Sequence, residues 1–125
     1  MTMLLFLLVA VGGFVGAPSR YLLDRAVSQR VGSDLPWGTF LVNVSGSLVL
    51  GFLTGLSLGG HLPDAATALL ATGFCGAYTT FSTFTFETVR LLQDGRILQA
   101  AGNAAVSVAV GLAAAAAGFA LGLTV

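Results

Sequence analysis

The sequence predicts an all-α integral membrane protein with four transmembrane helices, and three observations carry that prediction. Hydrophobic residues make up 56% of the 125-residue chain and charged residues only 8%, against roughly 25% charged in an ordinary soluble domain. Four nearly uncharged stretches each reach the ~20 residues that a helix needs to cross a ~30 Å hydrocarbon core. Turn and cap residues separate them, with no Ser/Gly-rich linker, so the chain reads as one compact domain over residues 1–125.

The first span is expected over about residues 3–23, interrupted only by Pro18 and Arg20. No positive residue precedes it, which argues against a signal peptide and for a span retained in the mature protein. Pro18 removes a helix donor and is expected to kink this helix. The second span, about 37–59, follows "SDLPW", where Ser33 or Asp34 can cap, Pro36 suits a first turn and Trp37 suits the interface. The third, about 64–92, starts at Asp64 as a candidate N-cap and stops at Gly95 in "QDGR". The fourth, about 97–124, is almost wholly Ala, Gly, Val and Leu. Short connections make consecutive helices antiparallel neighbours.

Glycines recur at spacing four: Gly12 and Gly16, Gly51 and Gly55, Gly118 and Gly122. In lipid that spacing lets helix backbones approach closely, and packing is their first reading. All five arginines, Arg20, Arg25, Arg30, Arg90 and Arg96, fall in the connections after the first and third spans or at the helix ends beside them. The excess of positive charge places that side in the cytoplasm and both termini outside.

Composition also excludes. The net charge is zero and lysine is absent, so the basic surface that nucleic acid requires is missing. One cysteine, Cys75, and one histidine, His61, cannot assemble a metal set. No nucleophile with a base in reach and no paired carboxylates lie in the spans, so an enzyme is not expected. Asp24 with Arg25, and Glu87 with Arg90, read as helix-end ion pairs. Glu87 also stands where it could line a vestibule.

Asn43 sits well inside the second span, where an amide without a partner is costly. Ser47 shares its face, and the fourth span repeats the pattern with Asn103 and Ser107. Two readings stand for these stripes: interhelical hydrogen bonding, or a polar path between helices. In "GFCGAYTTFSTFTFE", residues 73–87, the small residues between Gly73 and Ala77 allow the helix to break near its middle, which membranes tolerate only under cover. Carbonyls freed by a break can hold a cation. Beyond it Phe81 and Phe84 share a face, and a phenyl edge is positive. Ring edges with nearby amide and hydroxyl donors would accept an anion with no buried cation, although a Phe pair at this spacing is ordinarily core packing.

These stretches, "GGFVGAPSRY" (12–21), "PWGTFLVNVSGSLVLG" (36–51) and above all "GAYTTFSTF" (76–84), resemble the Fluc (CrcB) family of fluoride ion channels across essentially the whole chain. The resemblance implies a dual-topology antiparallel dimer with two fluoride pathways at the subunit interface, in the inner (plasma) membrane of a bacterium. It implies Phe81 and Phe84 as ring-edge ligands, Asn43 as the amide donor, and Thr80 and Ser107 as hydroxyls along the pathway. Arg20 and Glu87 match pore-mouth positions. Gly76 and Thr79 match backbone carbonyl donors to a structural Na+ at the dimer centre. The fourth-span stripe departs from the family where a tyrosine and a second hydroxyl often stand, at Asn103 and Gly111. The one-sided arginines suit a subunit of fixed orientation, so the partner is either a second copy or a homologous subunit inserted the other way. The implied function is passive, selective export of cytoplasmic fluoride, giving fluoride resistance. The alternatives are a small proton-coupled multidrug transporter and a non-conducting partner subunit of a heterodimeric fluoride channel; the first would need a membrane-embedded carboxylate that the span centres lack.

Overall fold

The computed structural model describes residues 2–32 and 35–125. The two candidate caps of the second span, Ser33 and Asp34, lie outside the described residues. Helix α1 runs over Met3–Val31, α2 over Trp37–Leu58 and α6 over Ile97–Thr124. These three are each long and apolar enough to cross a membrane. Between α2 and α6 lie the short α3 (Asp64–Ala66), a π-helical segment (Thr67–Cys75), α4 (Gly76–Tyr78) and α5 (Ser82–Gln93). The described chain is all-helical, and four helical passes fit it.

Helix α1 outruns the expected span by eight residues. With 29 residues it is about 44 Å long at 1.5 Å per residue, well beyond a hydrocarbon core. Hydropathy falls at Asp24, but no helix breaker follows until Gly32, which ends the helix in a left-handed conformation, φ 63°, with its N–H on the Ser28 carbonyl at 3.1 Å. The helix stays continuous through Pro18. Pro36 stands at the N-cap of α2 and Trp37 is its first residue. Asp64 is not the cap of α3: Pro63 takes that position and Asp64 enters the first turn, where a carboxylate favours the helix dipole. Gly95, φ 77°, follows α5 in the turn that leads to α6.

Glycines decide the packing. A Cβ on Gly51 would strike the Ala115 carbonyl, and one on Gly118 the Leu48 carbonyl. Gly55 would meet the Phe119 carbonyl at 2.5 Å, and Gly122 the Phe52 carbonyl. Helices α2 and α6 are therefore in backbone contact over residues 48–56 and 115–122, and they form the most extensive helix pair. On the other side Gly12 faces the Leu69 carbonyl and Gly16 the Phe74 carbonyl, while Gly73 would approach the Val9 carbonyl at 2.6 Å. This seats α1 on the π-helical segment. Dispersion between close backbones replaces the hydrophobic effect as the cohesive term in lipid.

The buried apolar set is accordingly small: Val42, Leu53, Ala68, Ala71, Cys75, Leu91 and Ala100. Large apolar side chains face outward instead, among them Phe14, Leu22, Leu98 and Leu112. Pro36 lies beside Arg90, Asp94 and Arg96 around one hollow. Pro36, at the start of α2, and the turn after α5 are thus at the same end of the helices.

Candidate functional site

The third pass leaves the helix at a defined place. Gly73 lies in the π-helical segment and Gly76 and Ala77 in α4, so the region expected to unwind is helical. The departure comes a few residues later, where Thr79 is extended, φ −79° and ψ 156°, and α5 resumes only at Ser82.

Side chains then take over the backbone groups that the helix no longer serves. In an uninterrupted α-helix the Thr80 N–H would bond the Gly76 carbonyl, four residues back. It goes instead to Asn43 Oδ1 at 2.8 Å, and Asn43 Nδ2 returns a bond to the Thr80 carbonyl at 2.8 Å. The Thr83 N–H, which would serve the Thr79 carbonyl, goes to Thr80 Oγ1 at 3.2 Å. Thr80 thereby caps α5 while Asn43 fastens the extended segment to α2. Both intercepted N–H groups leave a carbonyl, Gly76 or Thr79, without its helical partner. Ser45 Oγ and Tyr78 OH, 2.9 Å apart, make a second link from α2 to the end of α4, and the Tyr78 ring stacks on Phe74.

Asn43, Thr80, Phe81, Phe84 and Ser107 line one hollow of about 270 Å³, together with Ser47, Thr79 and Gly111. The ring centroids of Phe81 and Phe84 lie 5.9 Å apart with planes at 45°, and Phe81 is 77% exposed. Its ring is therefore no core element. The lining carries no ionisable side chain. Asn43 is committed to the Thr80 backbone through both ends of its amide; of its two N–H bonds one remains to be given elsewhere. The sequence pointed to Asn43 as a donor but not to its second role as the clamp on the extended segment, because that depends on a residue 37 positions away.

Of the pore-mouth candidates, Glu87 lines a separate polar hollow of about 410 Å³ with Arg90, Asp94 and Arg96. Arg20 is not among its lining residues. Glu87 Oε1 is buried without a hydrogen-bond partner, as are Thr39 Oγ1 and Arg20 Nε, so the expected Glu87–Arg90 pair does not form at that oxygen. Arg25 donates to the Tyr21 hydroxyl at 2.9 Å, and the Asp24 carboxylate accepts from Ser28 at 3.4 Å. Gly76 lies outside the Asn43 hollow, and a Cβ there would meet nothing within 4 Å. Among the described residues no group of three or more His, Cys, Asp or Glu side chains could hold a metal. Thr88, which no spacing in the sequence singles out, joins α5 to α6 through Asn103, at 2.8 Å.

Helices thin in charge, packed through glycine and flanking an uncharged hollow of amide, hydroxyl and phenyl groups, define a small helical membrane protein. Residues 7–119 match the model of the CrcB-like protein, Camphor Resistance (CrcB) family, and the chain belongs to that family. It is 53% identical over 113 residues to "Fluoride-specific ion channel FluC 1" of Streptomyces avermitilis, covering 90% of this chain and 91% of the relative. It is 49% identical over 121 residues to the FluC 1 protein of Frankia casuarinae, covering 93% and 94%. It is 45% identical over 115 residues to the "FluC 2" protein of Mycobacterium bovis, covering 92% and 88%.

Proposed function

We infer that this chain is a fluoride-specific ion channel that lets cytoplasmic fluoride leave down its gradient, and that it is not an enzyme. The observation that carries this reading is the single hollow lined by Asn43, Thr80, Phe81, Phe84 and Ser107 with no ionisable group among them. Fluoride is small and strongly hydrated, so a path must replace its water with close dipoles. One free Asn43 N–H, the Ser and Thr hydroxyls and the positive ring edges supply such dipoles without fixing the anion to a buried cation. A passive route suffices for resistance, because hydrogen fluoride enters as a neutral acid and ionises inside. The proton-coupled transporter reading finds no support, since the hollow provides no carboxylate to carry the proton.

The interruption of the third pass at Thr79–Phe81 belongs to this function. Non-helical backbone at membrane depth must be covered by protein or face a cavity. With Phe81 77% exposed, the missing cover is a second subunit, packed antiparallel against this face. The one-sided arginines favour a chain of fixed orientation, so a homologous subunit inserted the opposite way is the second reading beside a homodimer. The plasma membrane of a bacterium is the expected location.

The Gly76 and Thr79 carbonyls, relieved of their helical N–H groups by Asn43 and Thr80, suit a hard cation that takes oxygen ligands, and two subunits would present four such oxygens to one Na+. A bound Na+ would neutralise these carbonyl dipoles where the chains meet. This chain's contribution is to hold the oxygens uncommitted.

The test is ion efflux from liposomes containing the purified chain in sodium salts, with fluoride-loaded and chloride-loaded vesicles compared. Fluoride release without chloride release supports the channel. If neither ion is released by the chain alone or with a co-expressed homologue of opposite arginine bias, the chain is not a conducting subunit.

A further inference from the structure

The third and fourth passes are joined by a hydrogen-bonded chain that ends at the pathway. Thr88 Oγ1 donates to the Phe84 carbonyl at 2.8 Å, Asn103 Nδ2 donates to Thr88 Oγ1 at 2.8 Å, and Ser107 Oγ donates to Asn103 Oδ1 at 3.3 Å. The directions are forced. Thr88 has one hydroxyl proton and spends it on the Phe84 carbonyl, so toward Asn103 it can only accept. The amide must then turn its nitrogen to Thr88 and its oxygen to Ser107, which leaves Ser107 as the donor.

Ser107 is also where two hollows meet. One holds Asn43, Phe81 and Phe84. The other, about 240 Å³, is lined by Trp37, Phe40, Gln99 and Asn103. Ser107 is the residue common to both linings. Its single proton decides what it offers: while that proton rests on Asn103 Oδ1, the hydroxyl cannot donate to an anion. At 3.3 Å the bond is long for O–H···O and is surrendered cheaply, whereas the 2.8 Å bond to Thr88 keeps the amide in place.

We propose that Asn103 is a positioning residue for Ser107: anchored on Thr88, its amide oxygen accepts the serine hydrogen bond at the junction of the two hollows and gives it up when the hydroxyl, still protonated, donates to a passing fluoride ion. The inference rests on the channel reading and adds to it a residue outside the Asn43, Phe81 and Phe84 hollow that acts on that hollow through Ser107. Asn103 thereby takes part in conduction from a stripe where the tyrosine common in the family is absent.

The experiment measures initial fluoride efflux from liposomes holding the full chain, in the subunit combination that conducts, with variants at Asn103, Thr88 and Ser107. Asn103→Leu and Ser107→Ala are each expected to slow efflux by about tenfold, the scale of one hydrogen bond, and the double variant to be no more than about threefold slower than either. Thr88→Val, which removes the hydroxyl with little change of volume, is expected to slow efflux similarly, and Thr88→Ser, which restores the hydroxyl, to recover it. Efflux within twofold of wild type in both Asn103→Leu and Thr88→Val overturns the proposal. So do losses that multiply to about a hundredfold in the Asn103/Ser107 double variant, because independent contributions would then be at work. Absence of fluoride efflux from the wild-type chain in every combination refutes the channel reading itself, and is distinct from either result.

Discussion

Replacing Asn43 by leucine removes the amide at nearly constant volume and isolates its clamp on the extended segment. Two 2.8 Å bonds disappear, to the Thr80 N–H and the Thr80 carbonyl, and no turn of helix is available to take those groups back. An unsatisfied buried polar group costs ~1–3 kcal/mol. Thr80 is only partly buried, so the lower half of that range applies to each group, for a total of about 2–4 kcal/mol. The assay is equilibrium unfolding in lipid bicelles, comparing Asn43→Leu with Thr80→Ala. The alanine variant keeps both backbone bonds to Asn43 and loses the Thr80 Oγ1 cap on Thr83 with a long, exposed 3.4 Å contact to Ser82 Oγ, an effect of about 1 kcal/mol. A leucine variant destabilised by less than about 0.5 kcal/mol, or by no more than the alanine variant, would refute the clamp.

Three further outcomes follow from the geometry. Gly51→Leu drives a side chain into the Ala115 carbonyl and is expected to cost at least ~1–3 kcal/mol in the same unfolding assay. Gly76→Ala meets open space within the chain, so it should leave the isolated chain's stability within about 0.5 kcal/mol while weakening subunit association, read by single-molecule photobleaching in bilayers at decreasing protein density. Replacing sodium by N-methyl-glucamine on both sides should abolish fluoride efflux after prolonged dialysis and readdition of sodium should restore it; persistence of efflux would count against the carbonyl site.

The passes were legible in the sequence because lipid imposes a length of apolar chain that hydropathy reads directly. Hydropathy could not see α1 continuing to Val31, since Asp24–Val31 is polar yet contains no breaker and the helix leaves the hydrocarbon without ending. The glycine spacing read true for the same reason as the spans. Gly51, Gly55, Gly118 and Gly122 all sit at a backbone contact. The interruption falls beyond the small-residue stretch because glycine content marks where a helix can yield, whereas the actual site is set by competing acceptors: Asn43 Oδ1 and Thr80 Oγ1 capture the Thr80 and Thr83 N–H groups, each four residues beyond the Gly76 or Thr79 carbonyl it would have served. That competition depends on the position of α2 against the third pass, which no local pattern encodes. Spacing likewise put Asn103 and Ser107 on one face, but the relay to Thr88 came from the packing of α5 on α6.

The hollow beside the extended segment is the heart of this account, and efflux from liposomes containing the Phe81→Ile, Phe84→Ile double variant tests it most directly. Phe81 is exposed within the chain and both rings line the hollow, so the variant should fold as wild type while fluoride efflux falls by about thirtyfold or more, two ring-edge contacts of ~1 kcal/mol or more each being lost. Wild-type fluoride efflux from a folded double variant would contradict the assignment of this hollow as the fluoride path.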